Sequence, residues 1–221
     1  FAPAWPEDEA ALVVGSGVAP AGYGWVFPRG GRRVRAGVGV IRPDTDASPH
    51  EYLRRFVTGP AVARELDGAQ PLEVHAGYIP SEPVGGRAVY DGLIAAGDAA
   101  GHASPLVGEG IRYAIRSGRL AGRIAAECVC AGDCSAAALG RFETIWNADE
   151  GRFMRIAYAV NLRLARYSDQ TWDERIAILE RLSPDLFLRA LMTEFTAGWA
   201  ARVMVQSPRL IGPLLRAVLR G

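Results

Sequence analysis

Two short segments carry residues whose types and spacing suit ligand chemistry. The first is Asp91–Gly101, DGLIAAGDAAG. Its apolar run Leu93–Ala96 reads as a strand that ends at Gly97-Asp98 and passes into small residues. Gly97 permits a tight turn at the carboxyl end of a strand. Asp98 then offers a carboxylate acceptor suited to a ribityl or ribose hydroxyl. Ala99, Ala100 and Gly101 leave room for a ligand to lie on the backbone. The second segment is Pro105–Ile111, PLVGEGI, which opens a long helix. Gly108 and Gly110 would expose N–H groups at the positive end of its dipole, a place for an anionic or electron-rich oxygen. Taken singly, each segment fits a plain Gly-rich strand-to-helix turn. In this order they are far more specific.

A third segment imitates a nucleotide site. Leu12–Pro20, LVVGSGVAP, resembles a strand entering G-x-G-x-x-G, but Pro20 replaces the third glycine. The next residues, Gly22–Pro28, are no helix, so no helix N-terminus is available to hold a pyrophosphate. The residues therefore give no convincing site for the ADP half of a nucleotide.

These segments need elements to position them. Residues 1–90 read as strands and turns: Leu12–Val14, Gly24–Phe27, Val34–Ile41 and Leu72–Ile79, with Gly30-Gly31 as a hairpin signal. Pro49–Val57 and Pro60–Leu66 read as short helices with Pro near their starts. A helical pattern runs from about Gly108 to Cys128. It has Ile111, Ala114, Ile115, Gly118, Ala121, Gly122 and Ala125 on one small-residue face, able to pack closely on a sheet or ligand. From Ser135 the pattern is helical throughout: Ala136–Arg166 broken near Gly151, Trp172–Arg181, Pro184–Phe195 or beyond, and Pro208–Leu219.

The Gly97–Ala121 stretch, GDAAGHASPLVGEGIRYAIRSGRLA, resembles the flavin-contacting C-terminal motif of the geranylgeranyl reductase family. These are FAD-dependent oxidoreductases with the p-hydroxybenzoate hydroxylase type of fold. Upstream, Gly22–Arg29 (GYGWVFPR) with Gly37-Val38-Gly39 is similar to that family's Y-x-W-x-F-P-[KR]…G-[VI]-G motif, in the family's order. The resemblance covers residues 10–125 well and the helical tail more loosely.

That resemblance implies an α+β fold. An antiparallel substrate-domain sheet lies in residues 1–90 and a flavin-contacting strand–turn–helix in 91–134. An all-helical subdomain occupies 135–221, and the family's N-terminal Rossmann part is missing. By position it implies that Gly97, Asp98, Ala99 and Gly101 contact FAD, with Asp98 on its ribityl or pyrophosphate region. Pro105, Gly108, Glu109, Gly110 and Ile111 would lie along the isoalloxazine. Tyr23, Trp25 and Phe27 would alternate onto one face of a strand, with Pro28 after them, against the flavin or a polyprenyl chain. The alternative for these aromatics is ordinary sheet core. His102 stands where relatives often carry a larger apolar residue. It is a candidate proton shuttle beside the flavin, or else a plain core or surface histidine. The implied activity is reduction of isoprenoid carbon–carbon double bonds, with NADPH or another reductant as electron donor. The AMP half of FAD would need a longer chain or a second chain supplying the N-terminal half; Phe1 reads as a cut edge.

Two readings stand beside this one. Flavin monooxygenases or halogenases share the superfamily, although PLVGEG fits the reductases better. A non-catalytic, membrane-associated binding module is the other.

Composition narrows the field. The chain has 221 residues, 49% apolar and 22% charged, which excludes wholesale disorder. A formal net charge of +1 gives no field for nucleic acid. All 25 basic residues are arginine, which excludes Schiff-base chemistry and a P-loop lysine. Residues 1–150 hold 14 Arg against 18 acids, and residues 151–221 hold 11 Arg against 6. The Arg-rich apolar tail suits an anionic membrane surface or a core with arginines outside. The expected location is the cytoplasm, peripheral to the membrane. Cys128, Cys130 and Cys134 have neither zinc-ribbon nor disulfide-framework spacing, and no metal site is expected.

Overall fold

The structure, a computed structural model, describes residues 1–40, 47–80 and 86–208. Along the chain run strands β1 (Ala11–Val13), β2 (Tyr23–Pro28) and β3 (Val34–Gly39), helix α1 (Pro49–Val57), and strands β4 (Val89–Tyr90) and β5 (Leu93–Ile94). Helices α2 (Ile111–Ala131), α3 (Ala136–Leu139), α4 (Arg141–Trp146), α5 (Arg152–Leu164), α6 (Asp169–Leu179), α7 (Pro184–Leu191) and α8 (Ala197–Gln206) come after them. The fold is thus mixed, with small antiparallel sheets and many helices. It forms two compact units, residues 1–77 with 164–176, and residues 78–163 with 177 onward.

In the first unit β1, β2 and β3 form one antiparallel sheet in that order. The β2–β3 hairpin turns through Gly30, Gly31 and Arg32, all at positive φ, where glycine is unstrained. Period-two alternation sends Gly24 and Val26 to the buried face, into a core of Ala2, Trp5, Val26, Phe56 and Val62. Helix α1 delivers Phe56 to that core. Its N-cap Ser48 Oγ accepts the Glu51 N–H, and Pro49 stands at the first helical position. Gly24 is required there, because a Cβ would come within 2.9 Å of the Phe56 ring.

Two expectations in this part fail. Pro60–Leu66 makes isolated turns rather than a helix: Val62 and Ala63 N–H both donate to Gly59 C=O, with no continuing helical run. Leu72–Ile79 is not a strand. Its apolar alternation lies in water, Leu72 at 67% and Tyr78 at 104% exposure, and no strand pairs with it among the described residues. Ile41, the last residue expected in the third strand, lies outside the described residues, as does nearly all of Pro208–Leu219.

In the second unit the long helix α2 begins at Ile111, three residues later than its periodicity suggests, because Gly108 takes φ +67°. It ends at Gly132, whose left-handed conformation caps the last carbonyls. Its buried side is Tyr113, Ser117, Ile124 and Cys128, not the small-residue face. Ile124 and Cys128 pack with Leu139 and Phe142, and Tyr113 packs with Trp146 and Met154. Each such buried apolar side chain contributes about 1.5–3 kcal/mol. Gly118 and Gly122 face open space within this structure, and Ile111 and Ile115 are exposed. The helical stretch after Ser135 is broken into α3, α4, a π-helical turn over Asn147–Gly151, and α5. All three cysteines are free, with Cys128 buried at the end of α2. No described helix is long and apolar enough to cross a membrane.

Candidate functional site

β5 runs into Gly97–Ala100, a single 3-10 turn closed by Gly101 at φ +70°. Gly97 is buried at φ +63°, and its N–H donates 3.0 Å to Ser117 Oγ on α2. That bond fastens the turn to the helix. Ser117 is a positioning residue that the sequence pattern does not single out; its polar hydroxyl on an otherwise apolar helix face is the available signal. A Cβ on Gly97 would meet Ala114 at 3.2 Å, a tight contact, and the positive φ of this residue strains any other side chain, so both favour glycine.

The turn sets Asp98 at the start of α2. A Cβ on Gly110, the N-cap of α2, would lie 2.7 Å from Asp98 Oδ1. The carboxylate therefore occupies the space a side chain would fill, beside the positive end of the helix dipole. Asp98 and Ala99 are exposed, and Gly101 is half-buried. The two segments singled out in the sequence thus meet: Asp98 from one and Gly110 from the other.

Between them, Ser104 N–H donates to Glu109 C=O and Gly108 N–H donates to Ser104 C=O, both at 2.8 Å. This closes the loop that holds Pro105, which is fully buried. Glu109 Oε1 accepts the Arg112 N–H at 2.9 Å, and Oε2 accepts from the Arg112 guanidinium at 3.1 Å. Its carboxylate thus caps the helix and pairs with Arg112. Ile111 is 79% exposed. His102 is buried and stacks on Trp146, with ring centroids 4.2 Å apart. Burial lowers its pKa to about 4, so the ring is neutral at physiological pH. That disfavours proton shuttling there.

The aromatic triplet lies in the first unit. Tyr23, Trp25 and Phe27 share the face of β2 opposite its core, in a continuous row: Tyr23 to Trp25 5.6 Å, Trp25 to Phe27 6.5 Å between centroids. Tyr23 and Trp25 are half-buried, Pro28 likewise, and Phe27 is 39% exposed. Burial raises the Tyr23 pKa. Trp25 lies flat on β3. It pairs with Gly37, where a Cβ would fall 2.6 Å from its Cε2, while Gly39 beside it has ordinary space at 3.7 Å. The glycines of G-V-G are the bed of this tryptophan. The strand face is an apolar slab rather than sheet core.

The Gly-Ser-Gly turn after β1 enters no helix, and its ligand is internal. Ser16 N–H and Oγ–H donate to the two carboxylate oxygens of Asp169 at 2.8 and 3.1 Å. Among the described residues no group of three or more His, Cys, Asp or Glu could hold a metal ion.

Residues 5–79 match the sequence model of the geranylgeranyl reductase catalytic domain. The chain is 33% identical over 201 residues to a digeranylgeranylglycerophospholipid reductase of Methanoculleus marisnigri, covering 90% of this chain and 48% of that protein. A second such reductase, from Methanosphaerula palustris, is 36% identical over 168 residues, covering 74% of this chain and 41% of the relative. Among solved structures, a geranylgeranyl bacteriochlorophyll reductase-like protein from Thermoplasma acidophilum superposes with a TM-score of 0.77 at 25% identity, covering 96% of this chain and 51% of that one. The chain spans about half the length of the curated relatives it matches.

Proposed function

Because the chain belongs to the geranylgeranyl reductase family, we propose that it is the flavin-facing and substrate-facing part of a reductase of isoprenoid carbon–carbon double bonds. The observation that carries this reading is the placement of Asp98 against Gly110 at the start of α2, on a turn fastened by Gly97 and Ser117.

The residues present suit FAD. A carboxylate beside glycines at a helix N-terminus is a donor–acceptor pair for a polyol chain and an electron-rich ring edge. Asp98 would accept a ribityl hydroxyl. The backbone at Gly108–Ile111 would face the ring edge, where no side chain at Gly108 or Gly110 obstructs approach. Gly97, Ala99, Gly101 and Pro105 would shape the cradle, with Glu109 acting through its cap and its hold on Arg112. When bound and reduced, FAD would supply a hydride, which together with one proton saturates the double bond. In the first unit Tyr23, Trp25, Phe27 and Pro28 would lie along a polyprenyl chain, for which an apolar slab bedded on glycine is suited. The neutral, stacked His102 is assigned no proton transfer.

No helix follows β1, which leaves the ADP half of FAD without a holder in the described residues. We assign that half to a nucleotide-binding region supplied from elsewhere in a longer protein or by a second chain, with NADPH or another reductant as donor. The lipid substrate places the protein at the membrane surface.

The test joins this chain to the nucleotide-binding half and measures flavin by its absorbance spectrum. The joined protein is expected to carry bound FAD, and Asp98→Ala is expected to weaken FAD at least tenfold, about 1.4 kcal/mol. A colourless protein that acquires no bound flavin spectrum, or an Asp98→Ala variant with unchanged affinity, overturns the reading.

A further inference from the structure

We propose that Thr193, just past the end of α7, is a positioning residue: it clamps the loop Ser104–Gly110 from behind and through that loop tunes the flavin. This rests on the assignment of the loop to FAD under the proposed function.

The end of α7 has the hydrogen bonds of a Schellman cap. Thr193 N–H donates to Ala190 C=O at 3.0 Å, and Glu194 N–H donates to Arg189 C=O at 2.9 Å. In that motif the residue at the position of Thr193 is left-handed and is usually glycine. Here it is a β-branched threonine at φ +60°. Such a residue is an outlier at positive φ and persists only where its surroundings hold it there. A glycine would make the same two bonds without strain, so the cap gives no reason for threonine. The side chain does.

Thr193 is buried, and its Oγ1 lies 2.9 Å from the Oγ of Ser104, 89 positions away in the chain and fully buried. Ser104 ties the loop together. Its Oγ accepts the Leu106 N–H at 3.3 Å, its C=O accepts the Gly108 N–H, and its N–H donates to Glu109 C=O. Thr193 therefore fixes the hydroxyl to which Leu106 is bonded. The same threonine side chain hydrogen-bonds the buried Tyr113 hydroxyl. Next to it, Met192 C=O accepts from the Arg112 guanidinium at 2.6 Å. That guanidinium also donates to Glu109 Oε2 and to Tyr113 Oη, both at 3.1 Å. Two consecutive residues thus grip both ends of the loop: Thr193 at Ser104, and Met192 through Arg112 at Glu109. Thr193 need not touch the flavin. The backbone at Gly108–Ile111 would meet the ring edge, where negative charge grows on reduction, so a loosened loop costs the reduced flavin more than the oxidised one.

Amide hydrogen exchange of the 221-residue chain reads the clamp without flavin. Thr193→Val keeps the branched shape and removes the hydroxyl. The Leu106 and Gly108 amides are expected to exchange at least tenfold faster in it, and at the wild-type rate in Thr193→Ser. Thr193→Gly, unstrained at this φ, is expected to keep the fold and loosen the loop equally, which separates the clamp from a loss of stability. The chain joined to its nucleotide-binding half reads the consequence. In Thr193→Val and Thr193→Gly, reduced FAD is expected to lose at least fivefold more affinity than oxidised FAD, a fall of about 20 mV in the two-electron potential, and Thr193→Ser restores it. A merely structural role would weaken both redox states alike. Unchanged Leu106 and Gly108 exchange in Thr193→Val and Thr193→Gly would overturn the clamp. Faster exchange with an unmoved potential would overturn its role towards flavin while leaving the proposed function standing. A joined wild-type protein that takes up no flavin would sink the proposed function and this inference together.

Discussion

Gly37→Ala is the substitution whose cost the structure specifies most directly. A Cβ at residue 37 would lie 2.6 Å from Trp25 Cε2 and closer still to Cζ2. That is roughly 0.9 Å short of the ~3.5 Å at which carbon atoms rest. The indole is pinned between Tyr23 and Phe27 and bedded on β3, so it must tilt away from the sheet or the strands must part. Overpacking of this kind costs about 1–3 kcal/mol. At roughly 2–4 °C per kcal/mol for a chain of this size, Tm falls by several degrees. Gly39→Ala is the internal control. Its Cβ would sit 3.7 Å from Trp25 Cζ3, and its φ needs no glycine, so reduced unfolded-state freedom leaves it neutral or slightly stabilising. Thermal unfolding of both variants, with the Trp25 indole resonance followed by NMR, makes the comparison. Equal Tm values and an unmoved Trp25 resonance in Gly37→Ala would refute the account of the aromatic slab.

Two further outcomes concern the second unit. Ser117→Ala strands the buried Gly97 N–H and costs about 1–3 kcal/mol, read as a lower urea midpoint; an unchanged midpoint would mean that the turn is not fastened there. His102, with its pKa lowered from the usual 6.5 to about 4, makes the unfolded state the better proton binder between those values. Its contribution is full above pH 6.5 and is lost as pH falls towards 4, by up to about 3 kcal/mol. His102→Phe, which keeps the stack on Trp146, should flatten that part of the stability–pH curve; a curve of unchanged slope would contradict the assignment.

Much of the architecture is legible in local sequence. Pro49–Val57 carries its own start signals and forms the helix they specify. Gly30-Gly31 marks the hairpin because a tight turn there demands positive φ. Asp98 and Gly110 are legible as ligand-binding types, and the fold brings them together. Elsewhere tertiary context decides. Leu72–Ile79 has a strand's alternation, but a strand needs a partner edge, which periodicity cannot supply. The buried side of α2 escapes periodicity because its small residues are more continuous than the Tyr113–Ser117–Ile124–Cys128 side that actually packs. Thr193 at positive φ has no local signal at all.

The central claim is that reducing equivalents on FAD held by this chain pass to an isoprenoid double bond. The direct measurement is anaerobic. The chain joined to its nucleotide-binding half is loaded with FAD, reduced, and mixed with a geranylgeranyl lipid while flavin absorbance and product mass are followed. The account predicts reoxidation of the flavin on mixing, with a gain of two hydrogens for each double bond saturated, and less of both in Asp98→Ala at equal, sub-saturating FAD. Flavin that stays reduced until oxygen is admitted, or a product that carries oxygen, would contradict it.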